Sequence, residues 1–358
     1  MTDRPVPRPD SEAIRLYRRA VFYIAGFDNI GVRYYYMLFR NGLVQEFGRE
    51  ARRFKITRPE IAPDLSSRWR IETDDAGVPV EVDYFFLTPH DLVRKYVVRG
   101  DLGVIGAWAF TFFAYLRRNL FFRAFRKTWK AIILTYVLLS IPLFFLAGFA
   151  IALGAFALVD GALPPSAEIG IAAVAGALTL KVGLVMAAKT FTKLVLMSLY
   201  VGARQGMGRM RRLDARTLEW ARFIQTRAGD GKWDEVLLVG HSSGTVAAVD
   251  IAAQLLRDST WRGGTRLGLL TLGSTDTVVS AFRTATNHHD ALATVATSPD
   301  IVWVEYWSPW DFISIGSHDP ISAGDIDLGG RTKRGPILRA LDLHQSLTRE
   351  SYRRMFFN

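Results

Sequence analysis

Val236-Leu-Leu-Val-Gly-His-Ser-Ser-Gly-Thr245 is the stretch that decides the fold. Four apolar residues follow Asp234-Glu235 and read as a buried strand, since a short continuous apolar run bounded by a loop suits a strand covered on both faces. A glycine-flanked serine, Gly240-His241-Ser242-Ser243-Gly244, comes next, and Thr245 to Leu256 has helical character. Strand, G-x-S-x-G and helix in that order form a sharp turn that lifts the serine hydroxyl above the sheet. Glycine is needed on both sides because a side chain there collides where strand and helix pack closely. Small Ala247, Ala248, Ala252 and Ala253 let the helix sit close to the sheet.

The 358 residues suffice for one large domain with an insertion or for two modest domains. Hydrophobic residues make up 49% and charged ones 22%, oily for a purely soluble chain. The chain has no cysteine, which excludes thiol nucleophiles, disulfides and thiolate-bound metals. No cluster of metal ligands and no phosphate loop appears, so neither a metal nor a cofactor is expected. Met1 to Asp10 reads as a polar, proline-rich tail without the apolar core of a cleavable signal.

Net charge is +11, and its distribution tells what it is for. Arg117, Arg118, Arg123, Arg126, Lys127 and Lys130 precede the oiliest stretch; Lys189, Lys193, Arg204, Arg209, Arg211 and Arg212 follow the second one. That placement fits membrane flanks and contact with anionic headgroups, and no nucleic-acid module accompanies it. From Ala131 to Val159 there is no charged residue, longer than the ~20 residues that cross a bilayer. Pro142 predicts a kink there. A second apolar stretch begins at Ile169, is interrupted by Lys181 and continues to Leu199, with the span itself placed at about 167–188. The connecting loop has no Lys or Arg, whereas both outer flanks are rich in them. The positive-inside rule then predicts a hairpin in the inner membrane with both termini in the cytoplasm. Val104 to Leu116, with the aromatic and basic segment 117–130, suits an interfacial helix; a core helix with a basic linker is the alternative.

Strands are expected on both sides of this insertion. Ala20 to Ala25 is one, followed by Gly26-Phe-Asp-Asn-Ile-Gly31 and a helix from Val32 to about Arg53. Trp69 to Glu72 and Val80 to Leu87 flank an Asp74-Asp-Ala-Gly77 turn. Leu213 to Arg227 reads as helix, and Arg266 to Leu272 and Ile301 to Trp307 as strands. Alternating strands and helices predict an α/β domain with a mostly parallel sheet flanked by helices. It is divided into 11–100 and 201–358 by a membrane segment at 101–200.

The chain resembles the α/β-hydrolase superfamily, and within it bacterial membrane-associated serine hydrolases. The residues that carry this are Phe22-Tyr-Ile-Ala-Gly-Phe-Asp28, Val236 to Gly244, Leu267-Gly-Leu-Leu-Thr-Leu-Gly-Ser274, Trp307-Ser-Pro-Trp-Asp-Phe-Ile-Ser314 and Ser351-Tyr-Arg-Arg354. Only the G-x-S-x-G stretch among them is specific. The resemblance implies a Ser, Asp/Glu, His chain order, with Ser242 as nucleophile. Asp311 is the first choice of acid, Asp276 the second and Asp319 the third; each also fits a turn or cap. His344 is the first choice of base and His318 its competitor. His241 is too close to the serine, and His288 and His289 precede the strand that supplies Asp311. In similar proteins the histidine lies further on, past Ser351–Arg354; on that pattern the base is not His344 and the chain is truncated or inactive. The oxyanion donors are the backbone N–H groups of Ser243 and Phe27. The expected activity is that of a membrane-anchored serine esterase or lipase-like enzyme, cleaving an acyl or lipid ester drawn from membrane lipids. The alternative is a catalytically silent scaffold that binds lipid or a protein partner.

Overall fold

A computed structural model gives the fold of this chain; it describes residues 16–27, 30–49, 53–62, 66–75, 77–96, 98, 100–120, 131–159, 161, 163–189, 192–229, 231–258, 265–308 and 319–341. The first strand, β1 (Tyr17–Ile24), is followed by α1 (Val32–Arg49). Next come β2 (Phe54–Ile56), β3 (Glu60–Ile61), β4 (Ser66–Asp75) and β5 (Val78–Leu87). The helices that follow are α2 (His90–Tyr96), α3 (Gly100–Leu116), α4 (Ala131–Val159), α5 (Pro165–Lys189), α6 (Thr192–Gly206) and α7 (Arg211–Ala228). The second half runs β6 (Glu235–His241), α8 (Gly244–Arg257), β7 (Arg266–Leu272), α9 (Asp276–Ser280), α10 (Thr286–Thr297), β8 (Ile301–Trp307), α11 (Pro320–Gly324) and β9 (Ile337–Ala340). The bounds of α4, β7 and β8 agree with the sequence reading.

All described strands belong to one nine-stranded sheet in the order β2-β4-β5-β1-β6-β7-β8-β9, with β3 paired to β4. From β5 to β9 every neighbour is parallel. The β2, β3 and β4 pairings are antiparallel, which makes the sheet mixed. The β4–β5 hairpin turns at Gly77, whose φ of 88° demands a residue without a Cβ.

Alternation along β1 assigns the two faces. Ala20, Phe22 and Ile24 enter one apolar cluster with Trp220 and Ile224 of α7, Ala248 and Ile251 of α8, and Leu292 of α10. Val21 and Ala25 enter the other, with Trp69, Tyr84 and Phe86 under Tyr35, Tyr36 and Phe39 of α1. Burying each such large side chain contributes about 1.5–3 kcal/mol, and these two layers hold the sheet. The chain leaves β1 toward β5 on one side and returns with β6 on the other. Order therefore reverses between β1 and β6, and such a switch point opens a crevice at the carboxyl ends of the strands.

The helices α4 and α5 are both long and apolar enough to cross a membrane, over Thr135–Leu158 and Pro165–Ala187. Pro142 sits within an uninterrupted α4. Lacking an N–H, it leaves the Leu138 carbonyl without its helical donor. The indole N–H of Trp108 on α3 donates to that carbonyl at 2.7 Å. The span expected at about 167–188 corresponds to α5, and the apolar stretch beyond it to Leu199 falls in a separate helix, α6. Residues 104–116 fall in α3, whereas 121–130 of the basic segment, like the tail 1–10, lie outside the described residues.

Candidate active site

The elbow is built by steric exclusion. A Cβ on Gly244 would lie 2.4 Å from the Ile24 carbonyl oxygen and 2.6 Å from that of Ala25. One on Gly240 would lie 2.7 Å from Thr245 Cα and 2.8 Å from Ala248 Cβ. These are backbone or fixed atoms that no side-chain rotation clears. A third glycine comes from the turn after β1: a Cβ on Gly26 would meet Ser242 Cβ at 3.2 Å and its Oγ at 3.7 Å. Between them Ser242 takes φ 54°, the left-handed region that an L-residue enters at a cost of about 1–3 kcal/mol. Its N–H donates to the Leu272 carbonyl at 2.9 Å, which anchors the strained turn to the end of β7. Among the described residues no side chain hydrogen-bonds the Ser242 hydroxyl.

Phe27 and Ser243 are brought together with Ser242. The Phe27 N–H donates to Ser243 Oγ at 2.7 Å, and Ser243 is the N-cap of α8. The helix dipole of α8 favours negative charge next to this hydrogen bond. The Phe27 ring packs on Tyr96 of α2, 5.9 Å between centroids, and forms one wall of this region.

Asp311, His318 and His344 lie outside the described residues. Their neighbours are placed. Trp307 ends β8, and the Leu341 N–H donates to its carbonyl at 2.7 Å. The described ends of β8 and β9 therefore lie side by side at Trp307 and Leu341.

The remaining candidates have other occupations. Asp319 caps α11, accepting from the Ile321 and Ser322 N–H groups, and pairs with Lys333 at 2.8 Å. Burial raises its pKa, but Lys333 and Ser322 outweigh this and hold it below the usual value. His289 Nε2 lies 2.8 Å from the Ser280 carbonyl. Asp276 is fully buried beneath the elbow, not open in the crevice.

Asp276 belongs to a buried polar chain that the sequence reading missed. Ser274 Oγ donates to Asp276 Oδ2 at 2.6 Å and lies 3.4 Å from Thr245 Oγ1. Thr245 in turn donates its hydroxyl to the Ser242 carbonyl at 2.8 Å. On the other side, His288 Nε2 is 3.1 Å from Asp276 Oδ1, an ion-pair contact, and His288 Nδ1 is 2.8 Å from Asp250 Oδ1. Burial works against charge on His288, but Asp250 and Asp276 outweigh it and push its pKa up to about 10. Glu305, fully buried on β8, is pushed up to about 9 by burial and then by Asp276, and so keeps its proton near neutrality. A protonated imidazole between two carboxylates thus supports the elbow from below.

No family model, curated protein or solved structure matches this chain. What the site can do rests on its own geometry. That geometry is a half-buried serine held in a left-handed turn at a topological switch point, next to a helix N-terminus. Among the described residues no cluster of His, Cys, Asp or Glu is suited to holding a metal ion.

Proposed function

We propose that the chain is a membrane-anchored serine hydrolase of the α/β-hydrolase type that cleaves an acyl ester of a membrane lipid. The observation that carries this reading is Ser242 at φ 54°, held between Gly240 and Gly244, which tolerate no Cβ, with Gly26 packed close against it. Strain of this kind persists where the surroundings over-determine it, and here they single out one hydroxyl.

In this mechanism Ser242 Oγ attacks the ester carbonyl, and His344 takes its proton and returns it to the leaving alcohol; a water, deprotonated by the same imidazole, then attacks the acyl-serine, releasing the acid and restoring the Ser242 hydroxyl. Asp311 orients the imidazole. The N–H groups of Ser243 and Phe27 receive the oxyanion. The docking of the hairpin supports a lipid substrate. Val137, Leu138 and Ile141 of α4 share an apolar cluster with Val246, in the first turn of the elbow helix, and with Val278 and Phe282 after β7. The site therefore sits at the base of the membrane segment. The positive-inside rule puts the domain and both termini on the cytoplasmic side of the inner membrane, with the basic flanks on anionic headgroups.

The test is turnover of p-nitrophenyl acyl esters in mixed micelles by the detergent-solubilised protein. Hydrolysis is expected with a long acyl chain, falling at least about 10³-fold in Ser242→Ala, Asp311→Asn and His344→Ala. Activity unchanged in Ser242→Ala contradicts the proposal. One observation favours the second reading, a silent lipid-binding scaffold: the Phe27 N–H is already engaged by Ser243 Oγ. Ser243→Ala separates the two, raising turnover if the bond is a latch and leaving an inactive protein inactive if it is structural.

A further inference from the structure

The 17-residue helix α3 is at the short limit for crossing a bilayer, and it meets the hairpin at two points inside the membrane-length windows. Asp101, in its first turn, pairs with Lys181 of α5. Lys181 lies six residues inside the domain-side end of its window at Ala187, about 9 Å at ~1.5 Å per residue. Two turns later Trp108 donates to Leu138, three residues inside the window that starts at Thr135, about 4.5 Å deep on the same rise. The start of α3 thus lies deeper than its middle. Its far end is buried in the domain, where Ala114 and Tyr115 join the cluster with Leu196 of α6 and Phe282.

The charges tell the same story. Asp101 is the one charged side chain of α3, and Lys181 the one charged side chain of α5 between Glu168 and Lys189. A lone charge among apolar residues is costly at membrane depth, and pairing is how such charges are accommodated there. Next to Asp101, Leu102 is 86% exposed, and on the same helix Phe113 is 55% exposed.

We propose that α3 is a third membrane-embedded element, a re-entrant helix that dips amino-terminus first into the leaflet next to the domain, with the bilayer covering Leu102 and the Asp101–Lys181 pair holding its depth. Tyr96, which packs on Phe27 beside the elbow, lies four residues before Gly100. Lipid around α3 therefore comes within a few residues of the candidate site. This last consequence rests on the hydrolase reading; the embedding does not, and its test involves no turnover.

Because the chain has no cysteine, single cysteines report cleanly. Leu102→Cys, Val182→Cys on α5 and Leu218→Cys on α7 are each labelled with a polarity-sensitive fluorophore. The full chain is then reconstituted into phosphatidylcholine–phosphatidylglycerol vesicles. Leu102→Cys is expected to be quenched by lipid-attached nitroxides to within about twofold of Val182→Cys, while Leu218→Cys responds only to aqueous iodide. Adding Lys181→Leu is expected to lower lipid quenching at position 102 by about twofold or more and to leave position 182 unchanged. A position-102 probe that iodide quenches as it does position 218 overturns the embedding. Quenching at 102 that is indifferent to Lys181→Leu overturns the role of the pair.

Discussion

At the elbow, a Cβ on Gly244 would lie 2.4 Å from the Ile24 carbonyl; in the hairpin, one on Gly148 would lie 3.0 Å from the Gly176 carbonyl, and one on Gly176 3.1 Å from that of Gly148. Both regions use glycine to bring backbones together. In the hairpin the contact is reciprocal between two regular helices, and nothing is strained by it. At the elbow the close approach of β6, α8 and the turn after β1 leaves one residue, Ser242, in a left-handed conformation. The same device gives adhesion between helices in one place and a poised hydroxyl in the other. The difference lies in whether the backbone that approaches can slide. Two helices can separate by a few tenths of an ångström, whereas a strand hydrogen-bonded on both sides cannot.

Substitution separates the two cases. Gly244→Ala is expected to destabilise by about 3 kcal/mol or more, because overpacking against fixed backbone has no relief. Gly148→Ala is expected to change stability by no more than about 1 kcal/mol, the helices giving way slightly. Thermal unfolding in detergent reads both, and equal effects break the comparison.

The support beneath the elbow comes next in size. His288→Ala leaves Asp250 and Asp276 facing a void and is expected to cost about 3 kcal/mol. The pH dependence has a defined sign. His288 has its folded pKa raised from 6.5 to about 10, so its contribution is full below about 6.5 and is lost as pH rises through 10. The stability gap between wild type and His288→Ala therefore narrows from pH 7 to pH 10. Glu305, raised from 4.5 to about 9, acts in the same direction, since the folded state holds its proton and stability falls as pH climbs between those values. Glu305→Gln is expected to flatten that fall, gaining on the order of 1–3 kcal/mol at pH 8 and nothing at pH 4. A gap that widens with pH refutes the assigned charge on His288.

In the hairpin the matching support is Trp108. Trp108→Phe leaves the Leu138 carbonyl unmet and is expected to cost about 1–2 kcal/mol. Adding Pro142→Ala restores the helical donor and removes most of that cost; additive effects in the double variant contradict the assignment. The smallest effect is the most telling. Ser242→Gly relieves the left-handed strain and is expected to raise stability by about 1 kcal/mol. A serine that destabilises its own fold is retained for what its hydroxyl does, and a loss of stability on this substitution would break that argument.

How much of this is legible in the sequence follows from the range of each interaction. The strand–serine–helix turn, β7, β8 and the bounds of α4 are local signals of hydrophobic period and glycine, and they read correctly. The helix after β1 is expected to run to about Arg53 and ends at Arg49, within the ordinary blur of helix ends. The end of α5 is legible as well, because Lys189-Thr-Phe-Thr-Lys193 interrupts the apolar composition there. The short α10, Thr286–Thr297, is largely buried but gives no periodic signal strong enough to mark it. With it goes the Asp250–His288–Asp276 chain, which depends on how α10 docks on α8. Chain order sets His288 aside as a base, and its two carboxylate partners give it a different role. The Pro142–Trp108 compensation joins residues on separate helices and leaves no trace in either segment alone.

The central claim, that the elbow exists to present an activated serine, is tested most directly by treating the folded, detergent-solubilised protein with a fluorophosphonate and mapping the adduct by mass spectrometry. The account predicts one adduct, on Ser242, absent from Ser242→Ala. No adduct on a protein that unfolds cooperatively, or an adduct on another serine, would contradict it.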